Sequence, residues 1–235
     1  MYSRALQGYE EALGPKHILT LIMIHNIGLL YADQGKLAEA EVMYAQALHG
    51  YEEALGPKHK FILEAVNDLG ALYTKRVKLV EAGTMLTRAL SGREEVHGVK
   101  HTSTLQTVNN LGYLYSKEGK LAEAEAMYSR ALQGYEDALG PELVLYIPAL
   151  NTMFNFGDLF SQTDRKDKAK VMYTRALSGY TTVQGPSSKW CSEIAGRLKA
   201  LQLTPAETET QYTPTETGMP GTKSWLRRFL RNLRT

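Results

Sequence analysis

A 23-residue segment recurs along this chain and constrains its fold more than any other feature of the sequence. The segment GKLAEAEVMYAQALHGYEEALGP at 35–57 returns 84 residues later, at 119–141, as GKLAEAEAMYSRALQGYEDALGP. Residues 1–14 repeat residues 127–140 with a single Glu-to-Asp difference. The period is 42 residues and is lengthened once to 45. A fixed period of this size is typical of a solenoid of stacked repeats rather than of one globular core.

The apolar residues inside each unit have helical spacing and divide the unit into a helix A and a helix B. In the first unit, helix B has apolar residues that fall three, four or seven apart and form one stripe: Leu37, Ala40, Tyr44, Ala47, Leu48, Tyr51 and Leu55. We predict A helices near 17–34, 59–76, 101–118 and 147–162. We predict B helices near 37–55, 79–97, 121–139 and 166–184, each joined to its A helix by a short turn.

These units predict how the whole chain is organised. Residues 1–14 form a truncated half repeat that consists of a helix B only, and residues 15–186 form four helix pairs. Residues 187–203 have a further apolar stripe and are expected to form a capping helix that closes the array. The Thr/Pro/Glu-rich residues 204–222 predict a disordered linker, because this composition cannot bury a core. Residues 223–235 predict a short basic amphipathic helix.

Small residues in register predict close packing between the two helices of each unit. A glycine stands in the middle of each A helix, although glycine costs about 1 kcal/mol relative to alanine there. The glycines are Gly28, Gly70, Gly112 and Gly157. We expect each glycine to pack against the alanine twelve residues later, namely Ala40, Ala82, Ala124 and Ala169.

The same positions carry a family resemblance. The third unit has Leu111, Gly112, Tyr115, Ala124, Tyr128 and Ala131 in the spacing of the tetratricopeptide (TPR) repeat. The 42-residue period and the Ala-Leu-Gly-Pro ending resemble TPR repeats of the kinesin-light-chain type. The regular array is also similar to the repeat region of fungal NB-ARC/TPR proteins, which are signalling ATPases. The resemblance implies an all-α, right-handed solenoid of antiparallel helix pairs that holds partners in a concave groove lined by the A helices.

The composition argues against several classes of function. Cys191 is the only cysteine, so no intrachain disulfide can form, and no secretory signal or membrane-length apolar run is present. We therefore expect a cytoplasmic protein. The net charge is +2, but residues 223–235 contribute +5, which leaves −3 for residues 1–222 and gives no indication of nucleic-acid binding.

No motif of an enzyme is recognisable in the sequence. It contains no phosphate-binding GxxxxGK[ST] loop and no GxSxG nucleophile elbow. His17, His59 and His101 recur with the repeat, but equivalent positions on stacked helices lie about 10 Å apart, too far to share a metal ion. We predict no catalytic site, no metal, no cofactor and no small-molecule substrate.

The A helices carry polar residues beside the packing stripe, where a bound peptide would lie. The candidate groove residues are His25, Asn26, Glu64, Asn67, Asp68, Gln106, Asn109, Asn110, Asn151 and Asn155. An amide side chain can both donate to and accept from the main chain of an extended peptide. The kinesin-light-chain resemblance implies a similar use of these positions. The alternative is that the same side chains bridge helices or satisfy nearby backbone groups.

The basic segment 223–235 is the second candidate site. Its apolar residues cover an arc of about 140° on a helical wheel, and basic residues fill the rest. The candidate contact residues are Trp225, Arg227, Arg228, Phe229, Arg231 and Arg234. An anionic membrane surface, an acidic partner and this protein's own acidic repeats are the alternative binding surfaces.

Three functions remain open from the sequence. The first is a non-catalytic scaffold that binds a peptide or helix in the groove. The second is the sensor or oligomerisation region of an NB-ARC/TPR signalling protein whose ATPase domain is not in this chain. The third is a peripheral membrane adaptor that acts through residues 223–235. Because the half repeat at 1–14 lacks its helix A, we also expect that it belongs to a longer array or mediates self-association.

Overall fold

The protein is described by a computed structural model that covers residues 2–201, with side chains from Arg4 onward. Within these residues the secondary structure is helical and contains no strand. The A helices are α2 (Ile18–Asp33), α4 (Lys60–Lys75), α6 (Thr102–Lys117) and α8 (Ile147–Gln162). The B helices are α3 (Leu37–Ala54), α5 (Leu79–His97), α7 (Leu121–Leu139) and α9 (Lys166–Gln184). Helix α1 (Tyr2–Leu13) precedes these four pairs, and α10 (Lys189–Ala200) follows them.

The described chain divides into two compact units between Val99 and Lys100. In the first unit, α2 packs on α3, α3 on α4 and α4 on α5, while α1 packs on α2. In the second unit, α6 packs on α7, α7 on α8, α8 on α9 and α9 on α10. Within each unit, every helix therefore packs against its neighbours in the sequence, as stacked repeats require.

The recurring histidines begin three of the A helices. The Nδ1 atoms of His17 and His59 accept hydrogen bonds from the backbone amides two residues later, each at 3.3 Å. His101 accepts from the amide of Ser103 in the same way, at 3.2 Å. These bonds satisfy amides that have no partner within the helix. The repeated histidines are therefore helix caps, which explains their period without any ligand.

Each helix pair is locked by two reciprocal glycine contacts. A methyl group on the A-helix glycine Gly112 would lie 2.8 Å from the ring of Tyr128 in α7. In the other direction, a methyl group on Gly134 of α7 would lie 2.7 Å from a Leu105 methyl group in α6. Equivalent contacts form at Gly28, Gly50, Gly70, Gly92, Gly157 and Gly179.

The prediction that each A-helix glycine packs against the alanine twelve residues later is wrong. The side chains closest to Gly28, Gly70, Gly112 and Gly157 are Tyr44, Leu86, Tyr128 and Tyr173, which lie sixteen residues later rather than twelve. The alanines twelve residues later are fully buried, but a large side chain fills the space that each glycine leaves. The glycine thus makes room for a ring or a leucine, because bulk on one helix requires its absence on the other.

The extra residues of the fourth unit form a 3₁₀ turn, Gly140–Leu145, between α7 and α8. The side chain of Leu143 in this turn is fully buried. The carbonyl oxygen of Val144 points at Gly179 of α9 and would lie 2.6 Å from a methyl group there. The insertion therefore packs against the last helix pair.

Helix α1 has the sequence of a B helix, but its packing differs from that of the equivalent α7. Its sequence is nearly that of α7, yet Tyr9 is 36% exposed whereas the equivalent Tyr135 is fully buried. A methyl group on Gly8 would meet no atom within 4 Å, whereas the equivalent Gly134 is filled by Leu105. One face of α1 is therefore open in the described structure.

Candidate peptide-binding face

The ten candidate groove residues lie on the four A helices. In each unit, we call the polar side of its two A helices, α2 and α4 or α6 and α8, the A-helix face. Asn26 and Glu64 are exposed, whereas Asp68, Gln106, Asn110, Asn151 and Asn155 are half-buried. His25, Asn67 and Asn109 are buried. The face therefore contains reachable polar groups above a layer of buried ones.

In the first unit the buried residues connect two A helices. The Nε2 atom of His25 on α2 lies 3.1 Å from Oδ2 of Asp68 on α4. The side chain of Asn67 donates a hydrogen bond to the other carboxylate oxygen of Asp68 at 3.0 Å. His25 is only 4% exposed and Asn67 only 1% exposed, so these bonds form away from bulk solvent. Asp68 is held in one orientation by bonds to both of its oxygens.

Buried tyrosines lie beneath this link. The His25 ring contacts Tyr44 edge-on, with ring centroids 5.2 Å apart, and also meets Tyr51 edge-on at 6.4 Å. Burial is the main reason why the pKa of Tyr44 is well above its usual value, and the carboxylates of Asp68 and Asp33 raise it further. Both tyrosines are therefore neutral at physiological pH.

In the second unit amide groups make the equivalent connection. Asn155 on α8 donates to Oδ1 of Asn109 on α6 at 3.3 Å, and Asn109 donates to Oδ1 of Asn110 at 3.3 Å. Asn151 accepts a hydrogen bond from the hydroxyl of Tyr180 on α9. The alternative noted from the sequence, that these side chains bridge helices, thus holds for Asn109, Asn151 and Asn155. Such bridging fixes the orientation of the amides and leaves the half-buried ones accessible.

A polar cluster at the end of α8 was not predicted from the sequence. Asp158 accepts hydrogen bonds from the Tyr173 hydroxyl at 2.5 Å and from Nε of Arg197 at 3.0 Å. The ring of Trp190 stacks on Tyr180 with centroids 5.3 Å apart. Asp158 directly follows the A-helix glycine, so its place on α8 could have been identified from the repeat. Its contact with α10 could not, because α10 has a different sequence.

The remaining predictions from the sequence concern metal binding, membranes and the basic segment 223–235. Within residues 2–201, no three histidine, cysteine, aspartate or glutamate side chains are grouped to hold a metal ion. None of the described helices is long and apolar enough to cross a membrane. The candidate contacts Trp225, Arg227, Arg228, Phe229, Arg231 and Arg234 lie outside the described residues.

Comparison with known proteins identifies the repeats. Sequence models of the tetratricopeptide repeat match residues 20–59, 61–137 and 150–178. No curated protein gives a significant match to the chain.

Solved structures show the same fold. BtubC (BKLC) from P. vanneervenii superposes with a TM-score of 0.60 at 17% identity and covers 94% of both chains. The nearly identical TPR-like repeats of a putative kinesin light chain from Podosopora anserina give a TM-score of 0.56 at 16% identity. This match covers 78% of our chain and 85% of that one. The predicted all-α solenoid of antiparallel helix pairs is confirmed, and the chain belongs to the tetratricopeptide repeat family.

Proposed function

We propose that this protein is a non-catalytic scaffold that binds a peptide or helix of another protein along its A-helix face. Tetratricopeptide repeats are protein-interaction modules, and this role needs only a surface of fixed, accessible polar groups. The observation that supports the A-helix face is its layered order: buried bonds hold the polar side chains, and the outer ones remain accessible.

The chemistry of the face suits an extended peptide. The side chains of Asn26, Gln106 and Asn110 each offer both a donor and an acceptor, which a main chain without a strand partner needs. The Asn155–Asn109–Asn110 chain of hydrogen bonds fixes the amide orientation before binding. Because less side-chain freedom is then lost on binding, a fixed face binds more tightly than a mobile one with the same groups.

The test uses variants that disturb the fold least. Asn26 and Gln106 are accessible on α2 and α6, so Asn26→Ala with Gln106→Ala removes binding groups without opening the core. We expect this double variant to bind peptides selected from a random phage-displayed library about tenfold more weakly or worse, since two hydrogen bonds are lost. Its helical circular dichroism should equal that of the unmodified protein.

Two further substitutions control for the position of the change. Asn110→Ala with Asn155→Ala should also weaken binding, although this pair alters the Asn155–Asn109 link. Val80→Ala with Glu123→Gln changes exposed residues on the B helices α5 and α7 and should leave binding unchanged. Equal binding by the unmodified protein and both asparagine variants would refute the proposal.

The basic segment 223–235 and the half repeat at 1–14 are proposed as secondary interaction sites. Trp225 and the four arginines of the segment would place it on an anionic surface. Sedimentation with phosphatidylserine vesicles, compared with a chain that ends at residue 222, tests membrane binding. Sedimentation equilibrium of the unmodified chain and of Gly8→Glu, which adds charge to the open face of α1, tests self-association.

A further inference from the structure

Helix α10 occupies the place of a fifth A helix. Gly185-Pro186 precedes it as Gly56-Pro57 precedes α4, and Ser188 stands at the position of the cap His59. The Ser188 side chain accepts a hydrogen bond from the amide of Cys191 at 3.2 Å. Helix α10 packs on the B helix before it, α9, as α4 packs on α3. Its four buried positions are in register with Ile62, Ala65, Leu69 and Leu72 of α4, namely Cys191, Ile194, Leu198 and Leu201.

A contact between successive A helices recurs within both units. In the first unit, His25 stands three residues before the glycine of α2 and contacts Asp68, which stands two residues before the glycine of α4. In the second unit, Asn109 of α6 and Asn155 of α8 occupy the same two positions and are joined by a hydrogen bond. The contact therefore depends on the register of the A helices, whatever side chains make it.

The third pair in this series is Phe154 of α8 and Arg197 of α10. Lys199 stands where the other A helices have their glycine, which places Arg197 in register with Asn155. The Arg197 guanidinium lies over the Phe154 ring, 5.8 Å from the ring centroid, a distance at which a cation and an aromatic ring attract each other. Helix α10 therefore continues the A-helix face of the second unit beyond α8.

The Arg197 side chain is both held and accessible. Its Nε atom donates a hydrogen bond to Oδ1 of Asp158 at 3.0 Å, and its Nη2 atom lies 3.2 Å from Oε1 of Glu193. An arginine carries five N–H donors, and the two on Nη1 have no partner among the described residues. Because the side chain is 46% exposed, these donors can meet a ligand in an orientation that is fixed before binding.

The charges around Arg197 favour a neutral acceptor. Asp158 and Glu193 already place two carboxylates beside one guanidinium, so a further carboxylate would meet like charge. The neighbouring residues of the face on α8, Asn151 and Asn155, are uncharged. A carbonyl oxygen therefore suits the free donors better than an acidic side chain, and an extended peptide offers one at every residue.

We propose that the peptide-binding face of the second unit extends over α6, α8 and α10, and that Nη1 of Arg197 donates to a main-chain carbonyl oxygen of the bound peptide. The amides of α6 and α8 both donate and accept, whereas Arg197 only donates. Arg197 therefore fixes a carbonyl of the peptide over α10, and with it the register of the peptide along the face. This inference rests on the proposed function and names a residue that positions the bound main chain.

The test uses peptides selected from a random phage-displayed library on the full chain. Arg197→Gln should weaken their binding about tenfold, because a charge-assisted hydrogen bond is lost. The salt dependence of the Kd should be the same for this variant and the unmodified protein, because the acceptor is uncharged. Arg197→Lys keeps the charge but not the planar group, so it should also weaken binding. The helical circular dichroism of both variants should equal that of the unmodified protein.

Changes to the peptide identify the acceptor. Replacing one peptide bond at a time by an ester weakens the carbonyl oxygen as an acceptor. At one position the ester should weaken binding to the unmodified protein but cause no further loss on Arg197→Gln, because both changes remove the same interaction. Lys199→Gln changes an exposed cation on the same helix, at the position of the A-helix glycines. It is the matched control and should bind like the unmodified protein.

The outcomes distinguish this inference from the proposed function. Peptides that bind Arg197→Gln or Arg197→Lys as tightly as the unmodified protein would overturn the role of Arg197. So would a loss on Arg197→Gln that disappears at high salt, since the acceptor would then be a carboxylate. In each case, weaker binding by Asn26→Ala with Gln106→Ala leaves the scaffold function intact. Failure of the asparagine and glutamine variants to weaken any peptide would overturn the scaffold function itself.

Discussion

The glycines of the B helices give a sharp test of the packing, because the same residue stands in three different environments. Gly8, Gly134 and Gly179 occupy equivalent positions on α1, α7 and α9. A methyl group would meet nothing within 4 Å at Gly8 and a Leu105 methyl at 2.7 Å at Gly134. At Gly179 it would meet both Leu150 and the backbone oxygen of Val144, the latter at 2.6 Å. We predict different effects of Gly→Ala at these three positions.

Two opposing contributions to the free energy of unfolding set the size of each Gly→Ala effect. Alanine stabilises a helix interior by about 1 kcal/mol relative to glycine. Overpacking a filled core costs about 1–3 kcal/mol. Only the first term acts at Gly8, so Gly8→Ala should raise the free energy of unfolding by up to about 1 kcal/mol. At Gly134 the Leu105 side chain can shift, so the two terms should nearly cancel. At Gly179 a backbone oxygen cannot move aside cheaply, so Gly179→Ala should lower the free energy of unfolding by about 1–2 kcal/mol.

Urea denaturation followed by circular dichroism at 222 nm measures the three differences. With Trp225 replaced by phenylalanine, fluorescence of Trp190, which stacks on Tyr180 one residue after Gly179, reports separately on the last helix pair. The expected order of stability is Gly8→Ala, then Gly134→Ala, then Gly179→Ala. If Gly179→Ala stabilises the protein as much as Gly8→Ala, the reciprocal glycine contacts do not hold the pairs together as described.

Three other predictions concern the turn, the tyrosines and α1. Val77 has φ of 60° where the equivalent Gly35 has 76°, and its side chain is 73% exposed. Val77→Gly should therefore raise the free energy of unfolding by about 1 kcal/mol, because it removes backbone strain and loses little packing. Thermal denaturation measures this difference. The pKa of the buried tyrosines Tyr44 and Tyr173 is raised well above the usual 10.0, chiefly by burial. Above about pH 10 the unfolded chain loses its tyrosine hydroxyl protons, whereas the folded protein keeps them on Tyr44 and Tyr173. The free energy of unfolding, measured by urea titration at each pH, should therefore fall as the pH rises beyond about 10. A second copy of residues 100–126 placed before Met1 recreates the third helix pair around α1, and it should raise the denaturation midpoint. The same addition with Leu105→Asp in the copy should not raise it, because Leu105 is the side chain that fills the space beside the equivalent Gly134.

The sequence predicted the helices well because one signal was repeated many times. The apolar spacing, the turn glycines and the 42-residue period all indicated the same helix pairs, and the observed A and B helices begin and end within one residue of the expected positions. The repeat also allowed the polar side of the A helices to be selected. Periodicity specifies which residues are equivalent, so it identifies faces reliably.

Periodicity could not specify which atoms meet across helices. It indicated that the A-helix glycines pack closely, but the contact with Tyr128 rather than Ala124 depends on how the two helices cross. The link from His25 to Asp68 joins different register positions in successive repeats, and the contact of Asp158 with Arg197 joins α8 to a helix outside the four helix pairs. Such features depend on differences between repeats, whereas the repeat pattern reports only what the repeats share.

Mapping a bound peptide by NMR tests the central claim most directly. Amide chemical shifts of the ¹⁵N-labelled full chain would be recorded during titration with a library-selected peptide. The proposed function predicts that the largest shifts lie on α2, α4, α6 and α8, around Asn26, Glu64 and Gln106, and that Asn26→Ala with Gln106→Ala reduces them. Shifts confined to the B helices or to α1, unaffected by that double variant, would contradict the account.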